Sequence, residues 1–174
     1  MPLGKTILLS FQRRSLAAWT VLGISGFLTA GASAAQVNFE TLAIGQTFGS
    51  ATQTPGEVIF TQEGIHVSTE TFQTGTFEDM YLAQINGPGT DLFATRHASF
   101  NNINFGFDLT GLAPINDVTI EYREFGGVNN FSVNGGPILE LPAMTSMPVI
   151  VAPGVTASVD ADSIHLSGPV SRFL

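Results

Sequence analysis

The sequence predicts an all-β protein, an antiparallel β-sandwich or jelly roll preceded by an N-terminal signal peptide. Three observations carry that expectation. Apolar and polar residues alternate with period two through residues 36–174, and no window of helical length shows a 3.6-residue period. Turn-forming residues separate the alternating runs at short intervals. The first 35 residues differ in charge and pattern from all that follows.

The leader comes first. Lys5, Arg13 and Arg14 form a positive stretch, residues 15–30 (SLAAWTVLGISGFLTA) are an apolar run, and Ala32-Ser33-Ala34 is a small-residue cleavage site. The pattern reads as a secretory signal, cleaved to leave a domain from residue 36 with no membrane span. An uncleaved anchor is the alternative, because the run approaches spanning length. Arg13-Arg14-Ser15-Leu16 is similar to a twin-arginine export signal but departs from it at Gln12, Ala17 and Ala18, so general secretion is the expectation. An exported protein is secreted, periplasmic or held at the cell surface.

The strands follow in order. Val37 and Phe39 alternate with Asn38 and Glu40, and Ile65 and Val67 with His66 and Ser68. Ile103, Phe105 and Phe107 alternate with Asn104, Gly106 and Asp108, and Val118, Ile120 and Tyr122 with Thr119, Glu121 and Arg123. Further runs cover Phe131 and Val133, residues 138–141, residues 156–159, and Ile164 with Leu166. Each has one apolar face, as antiparallel sheets packed on one core require. Gly126-Gly127 and Asn86-Gly87-Pro88-Gly89 read as loops, and Asn134-Gly135 as a tight hairpin turn. No repeat or linker interrupts residues 36–174, which read as one domain.

Composition excludes several functions. The chain has 174 residues with six Lys or Arg, fourteen Asp or Glu, and no Cys. Disulfide, thiol and Cys-ligated metal chemistry are therefore absent. Beyond the leader, three arginines stand against fourteen acids, a net charge of −11 with no lysine. Nucleic acid is an unsuitable partner for such a surface, and Schiff-base and P-loop chemistry have no lysine to use.

Some blocks resemble a family. Phe39-Glu40-x-Leu42-x-x-Gly45-x-x-Phe48, Gly64-Ile65-His66-Val67, Asn101-Asn102-Ile103-Asn104-Phe105 and the Phe125 to Gly135 segment are similar to exported bacterial β-sandwich proteins of the cyanobacterial and PEP-CTERM type. The resemblance consists of strand and turn patterns over most of residues 36–174. It implies a sandwich at the surface or outside the cell, and no particular reaction. Such proteins usually continue into a further glycine-rich strand. This chain stops at Phe173 and Leu174, which suits an interrupted strand and implies an unpaired sheet edge.

Candidate sites are sparse. His66, His97 and His165 form no H-x-H, H-E-x-x-H or cupin-like cluster, and His66 and His165 read as outward strand-face residues. Glu121 and Glu124, at i and i+3 on a strand, fall on opposite faces and make no acid–base pair. No G-x-S-x-G occurs. Calcium fits better, since hard cations take carboxylate and carbonyl oxygens from loops. Asp160 and Asp162 flank Ala161 before a strand, Glu40 stands on the first strand, and Glu78-Asp79 is a third candidate. Tyr81 is the available stacking platform for a sugar, with Arg96 and His97 not far on.

These readings point to a non-catalytic surface or matrix protein, binding polysaccharide and stabilised by calcium. A secreted jelly-roll hydrolase or lyase is the alternative. A protein-interaction module that pairs by strand addition is the third.

Overall fold

The computed structural model describes residues 5–12, 35–89, 93–112, 114–124 and 126–174. Its strands, in chain order, are β1 (Lys5–Gln12), β2 (Gln36–Val37), β3 (Thr47–Phe48), β4 (Val58–Gln62), β5 (Ile65–Glu70), β6 (Phe72–Thr74), β7 (Phe77–Asp79), β8 (Leu82–Asn86) and β9 (His97–Asn101). There follow β10 (Asn104–Asp108), β11 (Ile115–Arg123), β12 (Asn129–Phe131), β13 (Leu139–Leu141), a 3-10 turn at Met144–Ser146, β14 (Ile150–Ala152), β15 (Val155–Val159), β16 (Ser163–Val170) and β17 (Arg172–Phe173).

The protein is all-β, and its strand pairs are antiparallel. A large sheet runs β14-β15-β16-β11-β1-β9-β8-β3, with β2 added beside β1. A smaller sheet runs β17-β10-β5-β4, and β6-β7 and β12-β13 are separate hairpins. The arrangement is that of a β-sandwich. No described helix is long and apolar enough to cross a membrane.

The predicted alternation builds the core. Val118, Ile120 and Tyr122 of β11, with Ile164 and Leu166 of β16, are buried from the large sheet; Ile65, Val67, Phe105 and Phe107 are buried from the smaller one. Phe105 joins the two, meeting Phe48 and Phe100 edge-on at 5.8 and 4.7 Å between ring centroids. Burying each such side chain contributes about 1.5–3 kcal/mol, so these contacts outweigh any single surface pair.

Several expectations change. Phe39 does not continue the first strand: its φ of 58° turns the chain after β2. The bend seats its fully buried ring against Phe60 and leaves Glu40 in a turn rather than on a strand. Asn134 and Gly135 make the expected tight turn, both at positive φ, closed by the Gly136 N–H to the Val133 carbonyl. Residues 132–134 then pair with the last three residues instead of with β13. Phe77 of β7 is exposed, unlike most of the phenylalanines on the alternating strands.

The chain's final segment has partners on both sides. β17 pairs with β10, and on its other side Leu174 and Ser132 exchange backbone hydrogen bonds of 2.9 and 3.2 Å. Phe173 is buried and stacked on Phe107 at 4.9 Å. The edge expected to lie bare at Phe173 and Leu174 is therefore covered.

The N-terminal basic stretch brings the larger surprise. Lys5–Gln12 is an inner strand of the large sheet, between β11 and β9. The apolar run over residues 15–30 and the cleavage site at 32–34 lie outside the described residues.

Candidate functional site

The outward face of the smaller sheet carries a convergent group of polar side chains. On β5 the positions facing away from the core are His66, Ser68 and Glu70, two residues apart, as strand geometry dictates. On β10 they are Asn104, Gly106 and Asp108, in register with Glu70, Ser68 and His66 respectively. Arg172 of β17 pairs with Asp108 from the far side. Residues 55–58 wall the face, giving a groove of about 400 Å³ lined by Pro55, Val58, His66, Glu70, Asp108 and Arg172 among others.

Gly106 lets the groups converge. A Cβ there would stand 2.8 Å from Ser68 Oγ and 2.9 Å from Glu70 Oε1. Without it, Glu70 Oε1 accepts hydrogen bonds from the Ser68 hydroxyl at 2.8 Å and from Arg172 at 2.6 Å. The Glu70 side chain is largely covered while Arg172 is half-exposed.

Asp108 is held by its own turn. The Thr110 hydroxyl and N–H both donate to Oδ1, at 2.6 and 2.8 Å. These bonds keep the Asp108 carboxyl below the usual carboxylate range, and the charges of His66 and Arg172 add to the effect. His66 Nδ1 lies 2.8 Å from the Thr61 hydroxyl. The groove thus presents two carboxylates, a guanidinium, an imidazole and hydroxyls on a rigid sheet face.

The residues expected to form sites are elsewhere, and apart. Tyr81 is exposed and opposes Asn102, to whose carbonyl its N–H donates at 2.8 Å. Arg96 and His97 stand at the other end of the β8–β9 pair, where Asn86 meets His97. At about 3.3 Å per residue, roughly 17–20 Å separates them from Tyr81. His97 is fully buried, its ring 4.9 Å from that of Phe93, so a ligand has no access to it. Arg96 is occupied by Glu40: its N–H and guanidinium bond the Glu40 carboxylate and carbonyl, and a further bond reaches the Leu42 carbonyl.

Asp160 and Asp162 share the turn between β15 and β16 but meet different side chains. Asp160 lies 3.4 Å from His165 and Asp162 3.4 Å from Arg123. Among the described residues no group of three acids or histidines could hold a metal ion. Glu78 and Asp79 lie on β7; Asp79 accepts the Met80 N–H and Glu78 meets the Gln73 amide.

Tyr122 is buried as expected, and its hydroxyl donates to the Asp160 carbonyl at 3.0 Å. Burial pushes that hydroxyl above the usual phenol range, with Glu124, Asp162 and Asp160 adding to it. Glu124 caps the loops instead of pairing with Glu121, accepting from the Asn129 amide and the Met144 N–H.

Of the groove residues, the alternation placed His66, Ser68 and Asp108 on polar strand faces, but it assigned none of them to a site. The i, i+2, i+4 series His66, Ser68, Glu70 was legible as one polar stripe. Its convergence with Asp108 and Arg172 needs the strand order, which no local pattern encodes. Compared with protein families, curated proteins and solved structures, the chain matches none.

Proposed function

We propose that the chain is an exported, non-catalytic surface or matrix module of jelly-roll type that binds a neutral polysaccharide in the groove of the smaller sheet. The groove carries the reading. Glu70 is paired with Arg172 at 2.6 Å, and Asp108 stands in register with Arg172 on one side and His66 on the other, so the groove interleaves donors and acceptors instead of presenting one sign of charge. Sugar hydroxyls require both, and Pro55 and Val58 supply apolar wall for the carbon face of a ring. Export rests on the N-terminal basic–apolar–small pattern.

A hydrolase or lyase is disfavoured by the same geometry. Glu70 and Asp108 sit on adjacent strands four register positions apart, roughly 13–14 Å between Cα atoms. Glu70 is already committed to Arg172 and Ser68, and Asp108 to the Thr110 hydroxyl and N–H, so the two carboxylates are engaged separately.

The test is binding of the full chain to a panel of neutral polysaccharides, with calcium and with EDTA, scoring both retention and released sugars. Saturable binding without products is expected, weakened at least tenfold in R172A and D108N. Loss in EDTA would assign calcium to the binding. Products would move the protein to the enzyme class, and no binding in either condition would sink the reading.

A further inference from the structure

The large sheet contains a strand that does not belong to its acidic body. β1 pairs along seven residues with β11, from Thr6↔Arg123 to Gln12↔Asp117. On its other side it meets β9 over Lys5–Ile7 and β2 over Leu9 and Ser10. Remove it, and β9 and β11 stand two strand spacings apart, about 9.6 Å, with a row of N–H and C=O groups unpaired in the sheet interior.

The walls of this gap are held by other contacts. Ala98 and Phe100 on one side, with Val118, Ile120 and Tyr122 on the other, belong to the common core. Phe93 spans the gap, its ring 4.9 Å from His97 of β9 and 5.5 Å from the Arg123 guanidinium of β11. The register specifies the occupant. Ile7, Leu9 and Phe11 stand at the positions opposite buried Tyr122, Ile120 and Val118, and Thr6, Ser10 and Gln12 at those opposite Arg123, Thr119 and Asp117; Leu8, opposite Glu121, is the one apolar residue on the polar side. Lys5, Arg13 and Arg14 flank the segment with positive charge, whereas residues 36–174 carry −11.

We propose that the gap between β9 and β11 is a strand-acceptor site. Its occupant is an extended segment, apolar at alternate positions and basic at its flanks. The chain's own Lys5–Gln12 fills it first, and an antiparallel segment of a partner protein with the same pattern replaces it when the N-terminal stretch is displaced or removed. Main-chain pairing with β11 and β9 supplies the affinity, and alternate side chains supply the register. The site is independent of the polysaccharide groove, which lies on the other sheet.

The probe is a labelled peptide of residues 4–14, GKTILLSFQRR, added to the full chain. L9P removes an N–H from the middle of β1 and should free the gap. That variant is expected to bind the peptide saturably, one per chain, at least tenfold more tightly than the unaltered chain does and than it binds a scrambled peptide of equal composition. Equal binding of the scrambled peptide, or none, overturns the proposal.

Should L9P not fold, a second variant decides. The chain lacks cysteine, so L9C/I120C places the only thiols at register partners. An intramolecular disulfide that blocks peptide uptake, restored by reduction, is expected. Failure to form it overturns the placement of β1. A 9–120 disulfide between two chains overturns the partner assignment in favour of a strand exchanged between copies.

Discussion

Arg172 and Glu70, 102 residues apart in sequence, close a 2.6 Å ion pair across the full width of β10. Their strands are not neighbours. The side chains meet because Gly106 of the intervening strand leaves the sheet surface bare at that point. One missing Cβ therefore joins the short last strand to the middle of the sheet.

G106A is expected to destabilise by about 1–2 kcal/mol, since the Cβ collides with side chains that can give way. G168A should cost more, about 3 kcal/mol or above, because its Cβ would stand 2.0 Å from the Gly154 carbonyl oxygen at a φ of 121°. Urea midpoints of the two variants order them; a G168A midpoint at or above that of G106A contradicts the packing.

Asp108 sets part of the acid limb. Its carboxyl is depressed in the folded state, first by the Thr110 hydrogen bonds. The resulting stability is present above the unfolded carboxylate value, about 3.9, and is lost as pH falls through the folded value. D108N should flatten the fall in stability below about pH 4 relative to wild type. Parallel acid limbs in the two proteins would refute this.

Tyr122 acts at the opposite extreme. Its pKa is raised on folding, so its contribution is complete below the unfolded value near 10 and is lost as pH rises through the folded one. Y122F should resist alkaline unfolding better than wild type, at a small cost near neutrality from the unpaired Asp160 carbonyl. Melting temperatures between pH 8 and about 11 test it.

Phe173 fastens the end of the chain. F173A removes a buried ring stacked on Phe107 and should cost about 3–5 kcal/mol. A loss under about 1 kcal/mol in urea would show that residues 172–174 contribute little to the core.

Much of the fold was legible because strand periodicity is local. The runs around Ile65, Phe105, Ile120 and Ile164 alternate cleanly, and each buries the expected face. Phe39 escaped because a positive φ in a non-glycine residue leaves no mark in an alternating pattern. His97 escaped for another reason: it lies at a strand start beside polar residues, and its burial, with the Phe93 ring against it, is a tertiary contact. Arg172 and Asp108 show the limit for sites. Each was readable as a polar strand residue, but their adjacency depends on β17 and β5 flanking β10, a choice made by tertiary packing.

The inner position of β1 also orders the folding reaction. The β14-β15-β16 meander joins segments close in the chain and can form early, whereas Thr6 meets Arg123 only after most of the polypeptide has been made. Closing so long a loop raises contact order and slows the step. In pulse-labelled hydrogen exchange, amides of β15 and β16 should gain protection before those of β11 that face β1. Until that step the nascent chain stays open along its centre, with the edges of β9 and β11 unpaired.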